Sequence, residues 1–195
     1  MGNKDIAALE RLAAAGIVKC LDRIARAYSG AWRLSGVSAF SGTMSEAIGR
    51  HEFKGPAAAV RIKVDCGLPF AAVLLFNTAD IGHISQCFLG ELFSDARKIE
   101  QFEDVMLLEI GNIILNALIN SLLNAIKQSA VPSVPALFRG DAGSILQGLG
   151  GTSGTAAGSR MIAAGISVEL DGRACRGGIL AMIPEELAAR MESAA

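Results

Sequence analysis

The chain has almost no net charge, because 18 basic residues stand against 19 acidic ones in a sequence of 195. This balance provides no general attraction to nucleic acid or to an anionic membrane, and we expect neither as a partner. Histidine occurs only twice, and the four cysteines form no C-x-x-C pair and have no neighbouring set of histidine ligands. The composition therefore predicts reduced thiols and no metal centre.

The sequence also lacks an unbroken apolar segment. Asp5, Glu10 and Arg11 interrupt the N-terminal run, so no signal peptide is predicted and a cytoplasmic location is expected. The most apolar stretch, residues 105–126, contains Glu109 and four asparagines, which are costly in lipid. It therefore predicts a packed helix of a soluble protein rather than a membrane span.

Apolar periodicity and turn residues divide the chain into helices and strands. Helices are predicted at residues 5–28, 78–89 and 99–128, with a short helical turn near Met44 and a final helix that opens at Pro184. Strands are predicted at residues 32–40, 57–64, 70–76, 161–170 and 175–183. Seven glycines in residues 140–158 predict a mobile connection there.

Two segments of the chain, 62–81 and 166–187, resemble each other. Each reads as a strand, a turn with Asp and Gly, an apolar strand and a helix start. Such self-similarity predicts a duplicated unit with a pseudo-twofold axis. We expect one domain, 1–195, made of halves at about 1–95 and 96–195. The predicted fold class is an α/β (α+β) sandwich, with two long helices packed on one face of a mainly antiparallel sheet.

One face of the predicted long helix carries five polar residues within an arc of about 120°. These are Glu109, Asn112, Asn116, Asn120 and Asn124. Asparagine is a poor helix former, so helicity alone does not favour four of them. Because Val105, Ile113 and Leu123 lie within or beside the same arc, the face is typical of a docking surface. A solvated face with a few satisfied amides is the alternative interpretation.

In the run Glu109-Ile110-Gly111-Asn112-Ile113, Asn112 is separated from Pro135 by 22 residues. This arrangement resembles the E-x-x-N-x22-P signature of the CheC/CheX chemotaxis phosphatases. The flanking segments LPFAAVLLFNTADI and GGILAMIPEEL also resemble that family, so the similarity covers nearly the whole chain. The resemblance implies a CheC-like fold, with Pro135 as a structural part of the motif.

The resemblance also implies an activity, the dephosphorylation of a CheY-like response regulator. Asn112 would orient the water that attacks the aspartyl phosphate, and Glu109 would pair with the active-site lysine of the regulator. Asn116, Val105 and Ile113 would contact the same partner. The Mg²⁺ of the reaction would be held by the regulator, so no cofactor is expected on this chain.

The sequence departs from the family pattern at two places. Val105 stands where the family usually has Asp or Ser, and Asp104 would point about 100° away on the helix. Aligning Glu10 with Glu109 places Ala13 where Asn112 stands, so the first helix keeps the carboxylate and loses the amide. We therefore expect a single active site, as in CheX-like members.

Other functions remain open from the sequence. Flagellar switch proteins such as FliM have a related domain and bind the regulator without hydrolysing it, so a binding module is the main alternative. Some CheC relatives regulate a chemotaxis deamidase, and CheX-like members form homodimers. The glycine-rich segment 148–155 resembles a phosphate loop but has no lysine, so it does not predict nucleotide binding.

Overall fold

The computed structural model describes residues 3–51, 55–89, 96–150 and 158–194. Its helices are α1 (Asn3–Ala27), α2 (Met44–Gly49), α3 (Thr78–Leu89), α4 (Ala96–Ala125), α5 (Ala142–Gly148) and α6 (Glu185–Ala194). Its strands are β1 (Ala31–Ser41), β2 (Ala57–Val64), β3 (Phe70–Asn77), β4 (Ala136–Gly140), β5 (Ser159–Leu170) and β6 (Arg173–Pro184). The order helix, strand, helix, two strands, helix therefore occurs twice along the chain.

The described strands form one antiparallel sheet with the order β1-β5-β6-β3-β2-β4. Each half contributes a hairpin, β2–β3 or β5–β6, and the two hairpins join through β3 and β6. The outer partner of each hairpin comes from the other half, because β1 pairs with β5 and β4 pairs with β2. The predicted fold class is confirmed, while the predicted boundary near residue 95 lies outside the described residues.

Alternate residues of the strands are buried on the two faces of the sheet. On one face, Val60 and Leu74 belong to a core that also contains Ile17 of α1 and Ile114 of α4. On the other face, a smaller set of strand residues packs under the short helices α2 and α5. Burial of one aliphatic side chain stabilises the folded state by about 1.5–3 kcal/mol. Because the sheet carries such side chains on both faces, helices are needed on both.

The two long helices cross closely at Gly16. A Cβ atom built on Gly16 would lie 2.5 Å from the Cβ of Ser121. The Ser121 hydroxyl donates a hydrogen bond of 2.7 Å to the carbonyl of Leu12, and the Cys20 thiol lies 3.6 Å from the carbonyl of Ile113. Later residues of α1 thus lie beside earlier residues of α4, so the helices run antiparallel. The surface of α4 that remains exposed lies beside this contact and includes Asn120 and Asn124.

The prediction of a mobile connection across residues 140–158 was wrong for its first part. Asp141 caps α5, because its carboxylate accepts a hydrogen bond of 2.7 Å from the Ser144 backbone N–H. The same hydrogen bond lowers the pKa of Asp141. Ile145 and Leu149 are buried against the sheet. Two apolar residues and one cap therefore outweigh the glycine content, and residues 151–157 lie outside the described residues.

Helix α4 is long and apolar enough over residues 102–125 to cross a membrane by length and composition alone. The described structure accounts for that apolarity in another way. One side of the helix, which includes Ile110, Ile114 and Leu118, is fully buried in the main core. The helix is therefore apolar because the sheet and α1 cover it.

Candidate functional site

The polar stripe predicted from the sequence lies on the outer face of α4. The Glu109 side chain is exposed and that of Asn112, one turn further along the helix, is half-buried. Asn116 is also half-buried, while Asn120 and Asn124 are exposed. Because the opposite side of α4 packs in the core, these polar groups face outwards from one rigid support.

A hydrogen bond links the first two amides of the stripe. The Asn116 side-chain N–H group donates to the Asn112 side-chain oxygen at 2.7 Å, as the spacing of four residues allows. The Asn116 side-chain oxygen is buried and has no hydrogen-bond partner among the described residues. The carboxamide of Asn112 is therefore held in one orientation by its neighbour.

Gly111 sets how close this site lies to the sheet. A Cβ atom at Gly111 would lie only 2.4 Å from a methyl carbon of Val60 and 2.8 Å from its Cβ. Any larger residue at this position would clash with Val60, so the helix or the strand would have to shift. The absence of a side chain at Gly111 allows α4 to pack in direct contact with β2, on the side of the helix opposite Glu109.

The apolar residues beside the stripe differ in exposure. Val105, one turn before Glu109, is 61% exposed, and Ile113 is half-buried. Asp104 does not replace the missing carboxylate, because it accepts hydrogen bonds of 2.6 and 3.1 Å from Arg139 on β4. The site therefore has an exposed valine where the family pattern has a polar group.

Pro135 lies directly before β4 in the chain. Ser133, two residues earlier, makes two hydrogen bonds with the backbone of Lys63, at 2.8 and 3.0 Å. The segment thereby reaches the edge of the sheet, where Ala136 pairs with Arg61. Pro135 therefore lies at the entry of β4, and its structural role in the motif stays a prediction.

The first helix does not present an equivalent pair. The Glu10 carboxylate accepts a hydrogen bond of 2.9 Å from the backbone N–H of Ala39 on β1. Ala13, at the position that corresponds to Asn112, is fully buried. In α1 these two positions thus serve the packing of the helix on the sheet.

A groove of about 690 Å³ lies between α1 and α4. Its α4 wall includes Asn116, Asn120 and Asn124, and its α1 wall includes Lys19 and Arg23. Sequence reasoning identified the asparagines but not the groove. The groove depends on how the two helices cross, which the periodicity of either helix alone does not define.

Metal or thiol chemistry finds no support in the described residues. They contain no group of three histidine, cysteine or acidic side chains that could hold a metal ion, and Glu109 is the only carboxylate of the stripe. Desolvation by burial raises the pKa of the Cys20, Cys87 and Cys175 thiols to about 11. These thiols are therefore protonated near neutral pH and are poor nucleophiles.

No protein-family model matches the chain, and no curated protein matches its sequence. Its fold is nevertheless similar to that of solved structures. FliY from Thermotoga maritima has a TM-score of 0.70 at 11% identity, with 100% of this chain and 96% of that chain covered. The FliM middle domain from H. pylori has a TM-score of 0.61 at 12% identity, with both chains covered completely.

The chemotaxis protein CheX from Desulfovibrio desulfuricans is also similar in fold. Its TM-score is 0.55 at 11% identity, and the match covers 88% of this chain and 98% of that chain. At such identities the likeness concerns the fold and carries no activity with it. The sheet of six described strands, the two long helices and these matches show that the chain has the same fold as CheX, FliY and the FliM middle domain.

Proposed function

We propose that the protein is an aspartyl-phosphate phosphatase that acts on a CheY-like receiver domain. One observation carries the proposal: Glu109 and Asn112 lie one turn apart on the outer face of α4, and Asn116 holds the amide of Asn112. The resemblance of this pair to the E-x-x-N motif supports the reaction. The fold family supports a role in chemotaxis or related two-component signalling.

Asn112 would act by positioning a water molecule. A carboxamide is neither a base nor a nucleophile at neutral pH, but its oxygen accepts and its nitrogen donates hydrogen bonds. The water attacks phosphorus, the aspartyl carboxylate leaves, and inorganic phosphate is released. Because an acyl phosphate is already reactive, orienting the water is sufficient to accelerate hydrolysis.

Glu109 would anchor the partner. Its carboxylate is exposed and has no ion-pair partner among the described residues, so it is available for a cation on the receiver. A lysine in the active site of the receiver is the group that the resemblance implies. The pair would fix the register in which Asn112 approaches the phosphate.

The proposal assigns the divalent cation of the reaction to the receiver. The single carboxylate of the α4 stripe is too few ligands for Mg²⁺, which prefers several oxygens in octahedral geometry. The residues of this chain would therefore act on the water and on the partner, not through a metal ion of their own. Its expected working location is the cytoplasm, where phosphorylated receivers occur.

The rate of phosphate loss from phosphorylated receivers of the same organism tests the proposal. The wild-type chain should accelerate that loss, and Asn112→Ala should reduce the acceleration by about 100-fold or more while binding persists. Glu109→Ala should weaken binding and lower kcat/KM. Gln147→Ala, which removes an exposed amide from α5 on the other side of the sheet, is the matched control and should behave like wild type.

Binding of the phosphorylated receiver without faster decay would contradict the enzyme. That result would support the second candidate, a non-catalytic binding module. The exposed Val105 favours this alternative, because the family pattern has a polar residue there. So does the likeness to FliY and to the FliM middle domain, and a FliM domain of this fold has been solved in complex with FliG.

Two further expectations from the resemblance concern partners. Strand β1 lies at one edge of the sheet, and a free strand edge is suited to pairing with a second copy of the chain. A chemotaxis deamidase is the other partner that the resemblance suggests. Light scattering of the purified chain, alone and with a deamidase, tests both: a monomer that does not bind the enzyme would contradict them.

A further inference from the structure

The groove between α1 and α4 has a distinctive charge. Lys19 and Arg23 on its α1 wall are exposed, and neither forms an ion pair or a hydrogen bond with a described side chain. The described residues that line the groove include no carboxylate, and Asp22, beside Arg23 in sequence, is not one of them. The groove is therefore a locally positive surface on a chain of nearly zero net charge.

The α4 wall of the groove offers hydrogen bonds rather than charge. Asn120 and Asn124 are exposed amides that can donate and accept. The Asn116 oxygen is a buried acceptor with no partner among the described residues, which is a costly arrangement unless a ligand donates to it. Such a wall suits the polar groups of a peptide segment.

The groove begins where the proposed site ends. Ile113 and Asn116, which line it, follow Asn112 within about one turn of α4. A receiver that contacts Glu109 and Asn112 on this surface would therefore extend over the groove. The contact area of a specific protein complex, about 800 Å² on each partner, is also larger than two side chains can supply.

We infer that the groove binds an acidic segment of the receiver, with carboxylates placed opposite Lys19 and Arg23. This inference rests on the proposed function and deepens it, since it identifies a second contact that selects the partner. Exposed ion pairs contribute little to affinity, but positive side chains beside the site accelerate the encounter with an acidic partner. The groove should therefore act on association and leave the chemical step unchanged.

The test combines the charge reversals Lys19→Glu and Arg23→Glu in one variant and measures the initial rate of phosphate release against receiver concentration. The double variant should raise KM roughly tenfold at low salt with kcat unchanged. The kcat/KM of the wild type should fall as salt increases, while that of the variant should depend less on salt. The control Arg11→Glu/Arg33→Glu makes the same change in net charge at exposed positions outside the groove and should retain the wild-type KM.

The possible outcomes separate the two proposals. Equal changes of KM in the groove variant and the control variant would contradict the groove contact. The proposed phosphatase activity would be unaffected by that result. A receiver that is bound but not dephosphorylated would overturn the activity, and its dissociation constant would then replace KM as the measure of the groove. A loss of kcat alone would overturn the groove as a docking contact.

Discussion

Helices α1 and α4 occupy matching places in the two halves, yet they use the same positions differently. Glu109 of α4 is exposed, whereas Glu10 of α1 accepts a hydrogen bond from β1. Asn112 is at the surface, whereas Ala13 is fully buried. The same two positions therefore face the surface in α4 and serve the packing of the helix on the sheet in α1.

The strongest way to challenge this comparison is to restore the missing amide with Ala13→Asn. The position is fully buried, so the larger polar side chain should lower the free energy of unfolding by about 3 kcal/mol and create no second active site. Thermal unfolding and a phosphatase assay measure the two effects. Ala25→Asn, at an exposed position of α1, is the control and should cost well under 1 kcal/mol. A stable Ala13→Asn protein with doubled activity would show that α1 does offer a site.

A second difference between the helices is Gly111 of α4, which corresponds to Leu12 of α1. Gly111→Ala should lower the free energy of unfolding by about 1–2 kcal/mol, because the new methyl group clashes with Val60. It should also reduce kcat/KM, because the clash moves Glu109 and Asn112 away from the sheet. Adding Val60→Ala should recover part of both losses, since it removes the two nearest methyl groups. Chemical denaturation of the single and double variants measures the coupling.

Gly49 provides the control for that pair of variants. A Cβ atom at Gly49 meets nothing within 4 Å, so Gly49→Ala should be neutral or slightly stabilising. If Gly111→Ala were equally harmless, close contact with β2 would not be what positions the site.

The two glutamates should respond in opposite ways to truncation. Glu10→Ala leaves the Ala39 N–H group without its acceptor, so we expect a loss of about 1 kcal/mol in stability with kcat/KM unchanged. Glu109→Ala should change stability by less than about 0.5 kcal/mol and lower kcat/KM. Urea unfolding and the phosphatase assay, run on both variants, make the comparison. A fall in kcat/KM for Glu10→Ala at full folding would contradict it.

The smallest expected effect concerns Cys20, a packing residue of α1. Burial raises its pKa to about 11, above the roughly 8.5 of an unfolded chain, so the folded state favours the neutral thiol. That stability is fully present below pH 8.5 and is lost as pH rises towards 11. Cys20→Ala should therefore lose less stability than the wild type as the pH rises, by about 1 kcal/mol at about pH 9, in denaturation at several pH values. Cys66→Ala, a half-buried thiol in a turn, is the control.

Periodicity and turn residues predicted most of the secondary structure. The predicted bounds of α3, 78–89, agree with the structure, because Thr78 and the apolar residues after it repeat at helical spacing. Strand β4 and helix α5 were missed, because both are short and lie in or beside the glycine-rich segment. Their few apolar residues and the Asp141 cap give only a weak sequence pattern. Local composition could not predict them, since they are stabilised by pairing with β2 and by the smaller apolar cluster under α2 and α5.

For the candidate site, the sequence predicted the polar face of α4 but not the groove beside it. Helical spacing placed Glu109, Asn112 and Asn116 on one face, and that face is on the surface. The hydrogen bond between Asn112 and Asn116 follows from the spacing of four residues, a signal that was present in the sequence but not used. The groove with Lys19 and Arg23 required the crossing of two helices that are about one hundred residues apart in the chain.

The strand order has a consequence for how the chain is assembled. Since each hairpin takes its outer strand from the other half, neither half can complete its own part of the sheet. During synthesis, one edge each of β1, β2 and β3 would stay unpaired until β5, β4 and β6 had left the ribosome. Two polypeptides separated between α3 and α4 should therefore be insoluble alone and should reassemble by strand exchange when they are produced together.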